Sequence, residues 1–194
     1  SSDGLNYSQM INKTLYGAVA YDQAFGYLAN YDDAMPDNVD PKSEGGSYTV
    51  AEHKWDEAFG YFGARRDFLN PGDVGDCIDL TSEHNFGWAS YATKRDNDTE
   101  NIAYRNGVMF KADIFNAFVA GRAIIHNEGT IDELAPHMAT IRTRFEQLCA
   151  ANVVHYVHSV LNAMGDLTST SGAMSSESEN YNKYWSEMRG FIIS

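Results

Sequence analysis

Residues 48–63 read YTVAEHKWDEAFGYFG, and this stretch decides the fold. Thr49 followed three positions later by Glu52 forms a capping box, in which each side chain satisfies a backbone N–H of the other residue. The pattern predicts a helix that begins at Val50. Gly60 and Gly63 indicate the close approach of another helix or the end of this one at Gly63, because glycine readily takes the left-handed conformation that closes helices.

The same helix concentrates ionisable side chains. His53 and Glu57 share one helical face at positions i and i+4, and Asp56 lies beside them. Mixed nitrogen and carboxylate ligands suit zinc, iron or manganese, so we predict a metal site at these three residues, for a divalent or iron ion. In the structural alternative, Glu52 only caps the helix and His53 bonds a backbone carbonyl. Glu57 then pairs with Arg122.

Residues 5–29 are predicted to form another helix. The segment 15–28, LYGAVAYDQAFGYL, is apolar on nearly every face, which is typical of a buried, central helix. Asp22 and Gln23 interrupt it, and each takes either a solvated position or one satisfied hydrogen bond. We expect Asp22 to lie beside the metal ligands and orient their carboxylates.

Residues 101–127 are predicted to form a further helix. An apolar stripe runs through positions 102, 108, 112, 115 and 119, and Arg122 and His126 continue it. An unpaired buried charge is costly, so Arg122 needs an acidic partner. We predict that Glu57 or Asp56 is this partner, and that Arg122 and His126 support the metal site.

A second capping box, TIDE at residues 130–133, starts a helix that we expect to reach about Met164. Asn152 and His155 fall on its apolar stripe and are predicted to be buried. His155 and His158 are a weaker candidate for metal ligation, with one buried and one surface histidine as the alternative.

Three segments are predicted to be irregular, at residues 30–47, 64–88 and 165–180. The acids of 73–79 lack the alternate spacing of a calcium loop. Those of 96–100 alternate but lack its glycine and its glutamate, so solvated loops are favoured at both places. Cys77 and Cys149 allow a single pairing, and the sequence leaves open whether it forms.

Composition limits the range of functions. With 194 residues the chain suits one helical domain, and its net charge of −13 argues against a nucleic-acid phosphate backbone as partner. Metal ions, small ligands or cationic proteins fit better. No apolar run reaches the roughly 18 residues of a transmembrane helix.

A short motif occurs twice. Residues 55–61 and 185–191 share W-x-E-x-x-G followed by an aromatic residue. The repeat favours two related helical hairpins, so we predict an all-α helical bundle with two pseudo-symmetric units and long irregular loops.

The signature Y-T-x-x-E-H-x-W-D-E-A-F-G-Y-F-G at residues 48–63 resembles that of an uncharacterised, imelysin-like family of bacterial envelope lipoproteins. The resemblance also includes the motifs of residues 15–28, 117–123, 152–156 and 185–191. It implies an all-helical protein in the periplasm or anchored to the outer membrane. It further implies that this chain is the central and later part of a longer one.

Imelysins are tied to iron uptake, were once described as peptidases, and carry a G-x-H-x-x-E motif. The resemblance implies a related role for His53 and Asp56. We therefore expect a non-catalytic envelope protein that binds a metal ion or a metal-bearing ligand. The alternatives are an interaction module that meets protein partners through a tyrosine-rich surface, and a metallopeptidase. The H-E-x-x-H spacing of many metallopeptidases is absent, so we predict no catalytic residues.

Overall fold

The computed structural model describes residues 4–29, 31, 38, 47–69, 85–98, 107–169 and 176–194. Regular structure in these ranges is entirely helical, which confirms the predicted all-α helical bundle. The chain divides into two compact units, unit 1 formed by residues 1–19 and 147–194 and unit 2 by residues 20–146. The pseudo-symmetry and the single domain stay predictions.

The helices are α1 (Tyr7–Leu15), α2 (Asp22–Ala29), α3 (Val50–Phe62), α4 (Gly87–Asp96), α5 (Phe110–His126), α6 (Ile131–Ser169) and α7 (Ser176–Ile193). A π-helical segment, Tyr16–Tyr21, joins α1 to α2. No helix of the described ranges combines the length and apolar character needed to cross a bilayer.

In unit 1, α1 packs against α7. Lys13 and Glu187 form an ion pair there, with Nζ 3.5 Å from Oε1 and both side chains at most 10% exposed. Gly190 allows the close approach, because a Cβ at this position would stand 2.6 Å from the Cβ of Lys13. The ring of Tyr156 on α6 stacks on Phe191, with centroids 5.7 Å apart.

In unit 2, α3 packs against α2, α4 and α5. The predicted capping box is present, since Thr49 and Glu52 exchange side-chain and backbone hydrogen bonds. The helix closes at Gly63, whose φ of 83° is left-handed. Fully buried rings fill the centre of this unit: Trp55, Phe62, Trp88, Phe118 and Phe145.

The helix predicted over 5–29 has the expected extent, but its burial on nearly every face is wrong. Leu15 is 50% exposed and Val19 47% exposed, and Asp22 and Gln23 are exposed as well. A segment that is apolar all round gives no phase from which a buried face can be chosen. Its composition therefore overstated its burial.

The irregular segments were predicted too long. Helix α4 begins at Gly87 inside the predicted 64–88 connection, and its N-cap residue Phe86 makes no side-chain capping bond. Helix α6 continues to Ser169 and α7 begins at Ser176, within the predicted loop 165–180. The start of α4 therefore carries no local capping signal.

The buried face of α5 differs from the predicted stripe. Phe110, Ile114, Phe118 and Ile125 are buried, whereas Val119 is 53% exposed. The helix carries apolar residues on more than one face, so the spacing alone selected the wrong phase.

The remaining predictions concern two polar residues of α6, the acids of residues 96–100 and residues outside the described ranges. Asn152 is fully buried, as predicted, but His155 is only half-buried. Asp96 accepts hydrogen bonds from the backbone N–H groups of Phe110 and Lys111, at 2.9 and 2.8 Å. Cys77, the acids of 73–79 and position 102 lie outside the described residues.

Candidate functional site

The carboxylate of Glu52 joins α3 to α5. Its Oε2 accepts the backbone N–H of Thr49 at 2.8 Å. Its Oε1 accepts a hydrogen bond from Nη1 of Arg122 at 2.6 Å and lies 3.0 Å from Nδ1 of His126. The Glu52 side chain is only 6% exposed. One buried carboxylate therefore both caps α3 and contacts the side chains of Arg122 and His126 on α5.

Arg122 also bonds the next turn of α3. Its Nε donates to Oδ1 of Asp56 at 3.0 Å. Glu52 and Asp56 are four residues apart and so face α5 together. Of the two partners predicted for Arg122, Asp56 is confirmed and Glu57 is wrong. We call the four residues Glu52, Asp56, Arg122 and His126 the charged joint.

His53 and Glu57 occupy a neighbouring face of α3. The His53 Nε2 lies 3.4 Å from Oε1 of Glu57, and both side chains are more than a third exposed. The ring of Tyr48 stacks on the imidazole, with centroids 5.1 Å apart. On α2, the pKa of Tyr27 is raised by the charge of Glu57, by burial and by a hydrogen bond to the same carboxylate. Glu57 thus faces Tyr27 rather than Arg122.

A groove of about 450 Å³ lies beside the charged joint. Its apolar walls are formed by the side chains of Trp55, Phe59, Phe115, Phe118 and Val119. Its polar lining comes from Asp56, Arg66 and Arg122. The size and the few polar groups among rings are typical of a small-molecule pocket. No sequence pattern predicted this groove, although it lies next to the signature helix.

Residues 1–191 match the family described as Domain of unknown function (DUF4856). The chain belongs to this family. No curated protein and no solved structure matches it. The description of DUF4856 names neither imelysins nor the cell envelope. The imelysin-like relationship and the envelope location therefore stay predictions.

In this DUF4856 chain the predicted metal ligands lie on two faces of α3. Asp56 bonds Arg122, whereas His53 and Glu57 pair with each other. Within the described ranges, no group of three or more His, Cys, Asp and Glu side chains is arranged to hold a metal ion. Metal binding therefore remains a prediction that rests on His53 and Glu57.

The supporting residues also take other places. Asp22 is exposed on α2, and His126 bonds Glu52 while its own side chain is 73% exposed. In unit 1, the ring of His155 contacts Tyr156 edge-on, with centroids 5.1 Å apart. His158 is half-buried on the same helix. Their ligation of a metal stays a prediction.

The hydrogen bonds of the charged joint stabilise the ionised forms of Glu52 and Arg122. Burial alone raises the pKa of Glu52, but hydrogen bonds from His126, Thr49 and Arg122 outweigh it and hold this pKa below its ordinary value. Burial lowers the pKa of Arg122, yet its bonds to Glu52 and Asp56 raise the net value. Both groups are therefore charged at neutral pH.

Asn38 links the N-terminus of α3 to the last turn of α5, next to the charged joint. This role was not predicted from the sequence. Its Nδ2 donates to the backbone carbonyl of Ile125 at 2.7 Å, in the last turn of α5. Its Oδ1 accepts the hydroxyl of Thr49, the N-cap of α3, at 2.7 Å. The side chain is buried. No local pattern announces a contact between residues that are 87 positions apart.

Proposed function

We propose that this DUF4856 protein is a non-catalytic binding module that takes an organic ligand into the groove between α3 and α5. The observation that carries the proposal is the groove itself, about 450 Å³ in volume and walled by four aromatic rings. In keeping with the resemblance of its signature, we place the module in the bacterial envelope. The signature helix then supplies one wall of the groove.

The charged joint supports this proposal because it fixes the two walls. Arg122 on α5 bonds both Glu52 and Asp56 on α3, and the indole N–H of Trp55 donates to the carbonyl of Phe118 at 2.8 Å. Such cross-helix bonds hold a pocket in its binding geometry and so lower the entropic cost of binding. The polar residues of the signature thus have a structural role, and the adjacent apolar surface binds.

The polar lining favours binding over catalysis. The guanidinium of arginine does not lose its proton in proteins, so the two arginines of the lining do not act as general acids or bases. Asp56 already accepts a hydrogen bond from Arg122. The groove therefore offers charge and apolar surface, which are the requirements for recognition.

A fluorescent probe tests the proposal. N-phenylnaphthylamine, a neutral apolar dye, brightens when it leaves water for an apolar site. Val119 lines the groove and is 53% exposed, so Val119→Trp fills the groove without changing the core. We expect this variant to lose at least tenfold in dye affinity. The control Val157→Trp changes an exposed valine of unit 1 and retains wild-type affinity. Equal binding by both variants and the wild type contradicts the proposal.

Metal binding at His53 and Glu57 is a second candidate. The two side chains share one half-exposed face with 3.4 Å between Nε2 and Oε1, which provides two protein ligands for zinc or iron. Metal analysis of the purified protein tests it. A stoichiometric metal that is lost in His53→Ala supports the site, and a metal-free wild type after incubation with zinc and iron rejects it.

A further inference from the structure

The groove contains one arginine, Arg66, that has no ion-pair partner among the described residues. Arg66 lines it and is exposed. Its neighbour Arg65 forms an ion pair with Asp67, in which Nε and Nη2 donate to the two carboxylate oxygens at 2.9 and 3.0 Å. Within the described part of the chain, Arg66 makes no comparable ion pair. No described residue is paired with its five N–H donors, so they can bond a ligand.

The other arginine of the lining, Arg122, is already paired with two carboxylates. The guanidinium of Arg122 uses Nε and Nη1 for Asp56 and Glu52, so its charge is neutralised by the joint. Its Nη2 donates no hydrogen bond to another described residue. Arg66 is therefore the arginine of the lining that makes no ion pair with a described residue, on a protein whose net charge is −13. A local cationic group on an acidic protein attracts an anion at this place rather than over the whole surface.

The apolar part of the groove is built from rings. Phe59 contacts Phe115 and Phe118 edge-to-face, with centroids 5.9 and 5.4 Å apart. Exposed ring faces and edges favour planar or ring-bearing apolar groups, which pack against them in offset or edge-on geometry. An arginine at the margin of such a surface pairs with a carboxylate or sulfonate on the same ligand.

We propose that the ligand of this groove is an amphipathic organic anion, with a ring-bearing apolar body against the partly exposed rings of Phe59 and Phe115 and one anionic group at Arg66. The inference rests on the proposed function and names its ligand class. A bare metal ion or a cationic compound does not fit, because Arg66 repels both. A purely neutral hydrocarbon leaves Arg66 without a partner.

Two dyes with the same ring system test the inference. Anilinonaphthalene sulfonate carries one negative charge, and N-phenylnaphthylamine carries none. At low salt we expect the affinity of the anionic dye to be at least about threefold higher than that of the neutral dye, which is the effect of one solvent-exposed ion pair. This preference should fall as salt is added, because salt screens exposed charges.

Variants assign the preference to Arg66. Arg66→Gln should reduce the ratio of anionic-dye to neutral-dye affinity to about one, and Arg66→Lys should restore part of this ratio. Arg189→Gln, at an exposed arginine of unit 1, should change neither affinity. Circular dichroism confirms that each variant is folded.

The outcomes separate the two proposals. If Val119→Trp abolishes binding of the neutral dye but the anionic dye binds no better, or if Arg66→Gln retains the anion preference, the ligand class is wrong and the groove remains a binding site. If Val119→Trp affects neither dye, both proposals are overturned.

Discussion

The indole of Trp55 lies directly over Gly121. A Cβ at position 121 would stand 2.1 Å from Cζ2 of Trp55 and 2.6 Å from Cη2. The helices α3 and α5 thus approach closely at a point where a large ring meets a residue without a side chain. One turn away, the indole N–H donates to the carbonyl of Phe118 at 2.8 Å. This contact sets the separation at which Arg122 reaches Glu52 and Asp56.

Gly121→Ala tests this contact. The added methyl group overlaps the ring of Trp55, which is buried and held by the hydrogen bond of its indole N–H to Phe118. Overpacking of a core position typically costs about 1–3 kcal/mol, and we expect a loss of unfolding free energy in this range. Urea denaturation followed by circular dichroism measures it.

Gly60→Ala is the matched control. Gly60 also lies within a helix of unit 2, but a Cβ there meets nothing within 4 Å. Alanine in a helix interior is more stable than glycine by roughly 0.5–1 kcal/mol, so this variant should be stabilised. Equal effects of the two substitutions would show that the ring of Trp55 does not occupy the space above Gly121.

Particular residues show what the sequence could reveal about this site. The pair Thr49 and Glu52 predicted the start of α3 because a capping box is formed by neighbours in the chain. The partner of Arg122 was half right, since Asp56 was named but Glu52 was assigned only to capping. The two carboxylate oxygens of Glu52 have different partners: Oε2 accepts the backbone N–H of Thr49, and Oε1 contacts Arg122 and His126. Only the placement of α5 against α3 reveals the contacts of Oε1.

Arg122→Met tests the charged joint. It leaves the carboxylate of Glu52, which is 6% exposed, with His126 and the cap as its remaining partners. Breaking a fully buried pair costs about 3–5 kcal/mol, and because Arg122 is 30% exposed we expect roughly 2 kcal/mol. Thermal and urea unfolding at neutral pH measure the loss.

Arg144→Met is its control. Arg144 donates from Nε to Oδ2 of Asp113 at 2.7 Å, but Asp113 is 31% exposed. Water can therefore solvate the carboxylate that remains, and we expect a cost below about 1 kcal/mol. A loss for Arg122→Met no larger than for Arg144→Met would argue against a structural role of the joint.

Asn38→Ala tests the link that the sequence did not reveal. The substitution removes the donor to the carbonyl of Ile125 and the acceptor for Thr49. Buried polar groups left without partners cost about 1–3 kcal/mol, which is the expected destabilisation. Asn97→Ala, at an exposed asparagine that follows α4, should change stability by less than about 0.5 kcal/mol. Indistinguishable unfolding curves for the two variants would rule out the link.

The pH dependence of stability tests the carboxylate of Glu52. Because its folded-state pKa lies below the ordinary value of 4.5, its contribution is fully present above about pH 4.5 and is lost as the pH falls through the folded-state pKa. Glu52→Gln should therefore lower stability at neutral pH and flatten its decline in acid. The control is Glu133→Gln in the other capping box, where Thr130 likewise lowers the pKa of Glu133 but the side chain is exposed. We expect a smaller effect there, because water solvates an exposed carboxylate in both states. Urea unfolding between about pH 7 and pH 3 separates the two, and equal acid profiles for wild type and Glu52→Gln would contradict the assignment.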